Sequence, residues 1–511
     1  MKLLNKSENR LKNFFSKKEH QLIIILFLIV LVTRIFFAFQ TPYFGSDEAY
    51  YNVRQVVSIK QTGLPIIKDN LSYGGKILYL PPLFYYILAT LSFVFKTEFV
   101  GKFFPNLFAS SIVIITYLIA AQITKNKTAQ FFAATTAGFL PIFFAETINN
   151  ISMNSFVIPL TFFTLYCMMK IIDKEKGYIT YFIISLLALR ITTPSSIFLV
   201  FALLIYLVFI YIEKINYSKT EIELILFSTF LIIWTLFVGF RNAFLDHGLS
   251  LLWQNIPRSI LRDYFSNTNL LKTIYFIGII PFIFGLASIY QSILREKDKK
   301  IYLLMSLAIV IGLLMWVRLI ELNLALMTIG IVMTLLFTKS YTYVLKQINN
   351  KKLRTVFQLT ILLLIILTSI LPALSLASNN IKNSYSEQEI KSLLWIRKKT
   401  NQNDIILSTL NEGHLIATIA RRKNFIDTNF MFVDNIDQRL IDAYRIYTTP
   451  YQTQAISLLN KYNLSYIYFS KRAKKTYGIS QLKYIDERCF KKVFFNEDVE
   501  IYQPICKIEQ K

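Results

Sequence analysis

The stretch QLIIILFLIVLVTRIFFAF, residues 21–39, carries one charged residue, Arg34, in an otherwise apolar run. A second such run, FQLTILLLIILTSILPALSLA, covers 357–377. About 20 apolar residues at a rise of roughly 1.5 Å cross a hydrocarbon core of about 30 Å. Backbone in lipid has no water to bond to, so these runs must be helical. No small-x-small cleavage site follows the first run before TPYFGSDEAYY, so it reads as a retained helix rather than a signal peptide. Hydrophobic residues make up 54% of the 511-residue chain and mean hydropathy is +0.45, as long apolar runs require.

The net charge of +25 is concentrated in short segments between the apolar runs. These are the N-terminus to Lys18, KNK (125–127), KIIDKEKG (170–177), REKDKK (295–300) and KQINNKKLR (346–354). That is the positive-inside pattern, and it argues against a nucleic-acid partner. With a cytoplasmic N-terminus (1–20), about eleven spans put every basic segment inside. They fall near 21–39, 104–122, 129–145, 155–171, 178–192, 196–212, 222–240, 272–293, 301–318, 320–338 and 356–376. The apolar piece LPPLFYYILATLSFVF (80–95) would break that parity as a span and reads as an interfacial helix. The expected fold is therefore a polytopic α-helical membrane domain (21–376) in the cell membrane. An extracytoplasmic domain (377–511) follows it, mixing helical pieces such as EQEIKSLLWIRKK with strands DIILST, FIDTN, LSYIYFS, KKVFF and VEIYQPI. Two outer segments are long enough for chemistry, 40–103 and 241–271.

The segment PYFGSDEAYYNVRQV (42–56) follows the first run and sets two acids, Asp47 and Glu48, among aromatics at the membrane boundary. Two readings fit. Ser46 or Asp47 caps a helix whose dipole favours acids in its first turn. Alternatively, a carboxylate there acts as a general base. Tyr50 and Tyr51 either line a sugar site or serve as interfacial anchors. Cys489 and Cys506 flank the NED turn (496–498) of an apparent hairpin and are a candidate disulfide in an oxidising compartment. Cys167 sits in a membrane run as a packing residue. His20, His247 and His414 do not form a ligand set. His414, in NEGH, reads as a helix-start residue, with acceptor contact as the alternative.

These motifs resemble the GT-C superfold of membrane glycosyltransferases, closest to its protein mannosyltransferase and aminoarabinose transferase branches. An acidic pair in the first outer loop is matched by Asp47-Glu48. A His-Pro-Pro-Leu stretch before aromatics is matched by YLPPLFYYILA (79–89), with Leu80 in place of the His. EFVGKFFPNLFAS (98–110) resembles the acidic-aromatic, basic and proline sequence that follows, with Lys102 at the basic position. WVRLIELNLALMTIG (316–330) resembles the late Arg-ended helix and offers Arg318. The oligosaccharyltransferase branch differs more. Met153-Asn154-Ser155, in GFLPIFFAETINNISMNSF (138–156), stands where its second acidic motif would lie, and Glu146 is the nearby carboxylate. STLNEGHLIATIARRKNFID (408–427) lacks its acceptor-binding residues.

The resemblance implies an inverting transferase on the outer face. Its donor is a polyprenyl-phosphate sugar, undecaprenyl- or dolichyl-linked, and its acceptor hydroxyl belongs to a protein, lipid or glycan. Asp47 would be the base, and Glu48 would orient Asp47 or the acceptor. Lys102, Arg318, Arg190 and Arg241 are the candidate cations for the leaving phosphate. Each has a plainer reading: Lys102 as a snorkelling helix-end residue and Arg318 as the partner of Glu321. No organic cofactor is implied; a divalent metal stays open, with a two-acid metal site disfavoured because the second acidic motif is absent. The competing class is a transporter or flippase of lipid-linked glycans, and a noncatalytic scaffold is a third reading. Transporters are built from broken helices in two related halves, and the hydropathy pattern shows neither.

Overall fold

The computed structural model describes residues 18–79, 81–266, 269–294 and 297–507. The basic stretch 1–17, Leu80 at the expected His position, and Arg295-Glu296 of the basic segment 295–300 lie outside the described residues. Among the described residues, eight helices are long and apolar enough to cross a membrane. They include Glu19–Ala38, Thr97–Ile123, Lys127–Thr147, Asn154–Ile172, Lys219–His247, Lys299–Trp316 and Leu322–Gln347. The last begins at Lys351 and includes a π-helical turn at Ile366–Ile370. Two shorter apolar helices, Tyr178–Thr192 and Ser196–Ile212, fill the remaining expected segments apart from 272–293. The piece after Pro82 is a helix of ten residues, Leu83–Ser92, too short to span.

The segment 272–293 departs from the expectation of unbroken helices. Leu270–Ile277 and Ile279–Leu294 meet at an angle of 98°. The turn is made at Gly278, whose φ of +92° is open to glycine and strained for other residues. A Cβ there would also lie 2.7 Å from Ser369 Oγ, in the π-helical turn of the last long helix. Hydropathy counts residues and is blind to a backbone angle, so the break leaves no mark on it.

The charge in the first run is also accounted for. Arg34 is wholly buried, and its Nε donates to Asn106 Oδ1 at 3.2 Å. A second nitrogen donates to Thr147 Oγ1, and the guanidinium lies over the rings of Phe143 and Phe144. A buried guanidinium is costly unless hydrogen-bonded. Here it joins three helices beside Glu146.

The C-terminal part contains a five-stranded sheet. In spatial order its strands are Lys423–Asn424, Ile405–Leu407, Leu464–Ser470, Val499–Pro504 and Phe490–Phe495. The first three run parallel and the last two form an antiparallel hairpin. The strand expected at FIDTN lies just ahead of it, at Lys423–Asn424. A disulfide, Cys489–Cys506, closes the open end of the hairpin. Helices Glu387–Lys399, Ile436–Thr448 and Gln452–Lys461 accompany the sheet.

The loop between the first two long helices is docked on this sheet domain. Ser46 caps the loop helix Asp47–Thr62, its Oγ accepting from Ala49 N at 3.3 Å. Asp47 therefore does not cap its own helix. Its two oxygens accept the backbone N–H groups of His414 (3.0 Å) and Leu415 (2.7 Å). A small antiparallel pair, Lys68–Asp69 with Lys76–Ile77, extends the same contact. Asp69 takes both arms of Arg54 at 2.6 and 3.2 Å, and Ser72 Oγ donates to Asp427 at 2.5 Å. Lys76 Nζ lies 3.6 Å from Asp427 and donates to Asn429 O. The segment after Lys219–His247 joins in, with Asn255 donating to the carbonyls of Phe430 and Val433. Gly413 allows the closest approach: a Cβ there would fall 2.1 Å from Ile426 O.

Two outcomes test this architecture by thermal unfolding of the purified chain in detergent. Asp47→Ala strands two buried N–H groups and should cost about 1–3 kcal/mol. Gly413→Ala forces backbone apart and should cost a similar amount, about 1–3 kcal/mol. An unchanged midpoint in both variants would contradict the docking. Replacing Cys489 and Cys506 by Ser opens a loop with a sequence separation of 17. That should destabilise the sheet domain by about 2–4 kcal/mol, read as faster proteolysis of the hairpin.

Candidate functional site

The loop helix Asp47–Thr62 presents its two acids in opposite ways. Asp47 is buried, with both oxygens occupied by backbone donors of the sheet domain. Each oxygen takes one N–H and keeps a second lone pair, so the contact fastens Asp47 to the sheet domain. Glu48, the next residue, keeps contact with solvent. Protein nevertheless surrounds it, and this desolvation lifts its carboxyl to about 7; repulsion from Glu321 adds to the rise and a hydrogen bond from Asn52 opposes it.

Glu48 is one of three acids in an acidic cluster whose members repel one another. Glu321 stands at the N-cap of Leu322–Gln347, solvent-exposed yet desolvated, with its carboxyl raised by burial among protein atoms. Glu146, near the end of Lys127–Thr147, interacts repulsively with both Glu48 and Glu321 and accepts a hydrogen bond from Asn323. The three acids therefore act on one another electrostatically at the ends of the helices that carry them. Among the described residues, no three His, Cys, Asp or Glu side chains converge tightly enough to hold a metal ion.

The expected phosphate cations separate into two groups. Lys102 is buried, its ammonium donating to Ala38 O at 2.8 Å and to Thr41 O, with Phe39 and Phe44 facing it. It ties down the end of the first helix. For Arg190, Nε and a terminal nitrogen donate to Thr235 Oγ1 (3.0 Å) and Thr235 O (2.8 Å), joining two helices. Arg318 is half-buried at a left-handed φ of +61°, one nitrogen donating to Leu261 O at 2.5 Å. It shares the neighbourhood of Tyr264 with Glu321 without an ion pair to that acid among the described residues. Arg241 is exposed and has no ion pair or side-chain hydrogen bond among the described residues.

Three further expected contacts prove internal. Tyr50 is packed between Phe44 and Tyr385. Tyr51 accepts from Gln55 at 2.9 Å and packs on the His414 ring. His414 is buried, and burial pushes its pKa down to about 4 against the pull of Asp427. It is a neutral member of the interface at neutral pH. Glu321 entered the sequence reading only as an ion-pair partner for Arg318. Glu146 was visible only as a stand-in for a missing motif. Their convergence required the fold.

A family model described as dolichyl-phosphate-mannose-protein mannosyltransferase matches residues 80–236. Comparison with curated protein sequences gives no match. The oligosaccharyltransferase of Archaeoglobus fulgidus, in its apo form, superposes with a TM-score of 0.73 at 15% identity, over 93% of this chain and 73% of that one. ArnT of Cupriavidus metallidurans, bound to undecaprenyl phosphate, superposes with a TM-score of 0.54 at 12% identity, over 96% of this chain and 99% of that one. The mycobacterial arabinofuranosyltransferase AftD gives 0.56 at 12% identity, over 95% of this chain and 40% of that larger one. Identities this low speak for the fold, and the helix order with its appended sheet domain makes the same statement independently. The chain has the GT-C fold of membrane glycosyltransferases.

Proposed function

We propose that the protein transfers a sugar from a polyprenyl-phosphate donor to an acceptor hydroxyl, with Glu48 as the general base. The observation that carries this reading is the state of Glu48: solvent-touched, desolvated to about 7, and beside Glu146 and Glu321. A base with a pKa near the working pH is half available yet strong enough to draw a proton from a hydroxyl. The acceptor oxygen attacks the anomeric carbon while Glu48 takes its proton. The bond from that carbon to the phosphate oxygen breaks, and polyprenyl phosphate departs. Attack opposite the leaving group inverts the anomeric centre. Arg318, beside Glu321, and exposed Arg241 are the cations left to meet the phosphate charge.

Relatives of this fold support the donor class: one neighbour binds undecaprenyl phosphate and another a dolichol-phosphate. The break at Gly278 is the one feature that favours the transporter reading. The same assay separates the two, because a transporter moves label across the bilayer without forming a new glycosidic bond.

Purified protein incubated with radiolabelled polyprenyl-phosphate sugars and membranes should transfer label. Glu48→Gln should lower transfer by about 10²–10⁴-fold at an unchanged unfolding midpoint. Because the base works ionised, wild-type transfer should rise with pH through an apparent pKa near 7, and that rise should vanish in the variant. Full activity in Glu48→Gln would overturn the assignment. Label moved without transfer would replace the enzyme by a carrier.

A further inference from the structure

Away from the acidic cluster, the sheet domain carries a cleft of opposite charge. About 410 Å³ is enclosed between the loop residue Asn70 and a basic wall of Arg397, Arg421, Arg422 and Lys423, with Gln402 at its rim. The wall is built from two pieces of backbone. Arg397 belongs to the last turn of Glu387–Lys399, and Arg421, Arg422 and Lys423 follow the π-helical turn Ile416–Ala420.

One of the four cations has a structural task that accounts for it. Arg422 is buried, and its guanidinium donates to Thr400 Oγ1 and to the carbonyls of Arg397, Thr400, Ala420 and Arg421. Its partners are neutral oxygens, so its positive charge remains beneath the cleft floor; Asp404 is the one acid that acts on it. The other three have no such task. Among the described residues, the side chains of Arg397, Arg421 and Lys423 make no ion pair or hydrogen bond, and Arg397 adds repulsion to Arg422. Arg421 is moreover held at a φ of +53°, a conformation that glycine or asparagine would occupy with less strain. A helix end needs a carbonyl cap there, which Arg422 supplies. It does not need three more unpaired positive charges converging on one hollow.

We propose that this cleft binds a phosphoryl group. Guanidinium forks pair with two phosphate oxygens at once, and an ammonium adds a point charge. The amides of Asn70 and Gln402 suit the hydroxyl or ester oxygens that flank a phosphate in a sugar phosphate or a polyol phosphate. The site does not depend on the transferase reading, since none of its residues belongs to the acidic cluster. Asn70 links it to the loop all the same: its neighbour Asp69 is held by Arg54 on the helix that carries Glu48.

Binding is measured on the full-length protein in detergent by calorimetry, with inorganic pyrophosphate as the first probe. Two further probes distinguish sources of the same chemistry: a glycerol-phosphate oligomer and dihexanoyl-phosphatidylglycerol, with dihexanoyl-phosphatidylcholine as the zwitterionic control. Pyrophosphate should bind wild type, and the double variant Arg421→Asn/Lys423→Gln should weaken it at least tenfold. Asparagine tolerates the left-handed backbone, so the unliganded unfolding midpoint should not move. Arg397→Gln provides an independent second variant and should weaken binding as well. Preference for the oligomer identifies a soluble or polymeric phosphodiester, and preference for phosphatidylglycerol identifies a lipid headgroup. No pyrophosphate binding by wild type, or equal binding by wild type and both variants, overturns the proposal.

Discussion

Two backbone N–H groups, at His414 and Leu415, point out of the sheet domain and end on the two oxygens of Asp47. A helix start leaves donors without intrahelical partners, and burying them unmet is costly. Here the partner comes from 367 residues away. This contact, with Gly413 pressed against Ile426, anchors the loop after the first membrane helix onto a separate domain. Because Asp47 is fixed, the position of Glu48, the next residue of the same helix, is set with it. The acid that docks the loop thus sets the geometry of the acid proposed as base.

Much of the membrane architecture was written in the sequence, since lipid imposes a one-dimensional rule on every segment that crosses it. Each run expected to span coincides with an apolar helix except 272–293, which is two, and the ten-residue helix after Pro82 stays short of a span. What escaped was three-dimensional. Hydropathy could not register a right-angle bend at one glycine. In the sheet domain, strands of two or three residues leave too little alternation to fix their bounds, so the strand sought at 425–429 lies at Lys423–Asn424.

The site was legible in type more than in detail. An adjacent acid pair at a membrane boundary singled out the loop helix Asp47–Thr62, and Ser46 as its cap was among the open readings. Which acid faces substrate depends on what lies across the interface, and nothing within 42–56 encodes that. Lys102 and Arg190 were singled out because membrane cations are rarely idle, and they are not idle. Their tasks are carbonyl and hydroxyl contacts that hold helix ends together. Arg34 does the same between three helices, with Asn106 and Thr147 as neutral partners. Spacing along a chain cannot separate a cation that meets a ligand from one that meets a carbonyl.

The sharp bend at Gly278 and the π-helical turn at Ile366–Ile370 touch through Ser369, with no room between them for even a methyl group. Each is a local irregularity that an isolated helix would anneal away. Wedged together, neither can straighten without displacing the other, so they act as one joint in the bundle. The helix that leads into the sheet domain is thereby keyed to the broken one, and a shift in either would be felt by both.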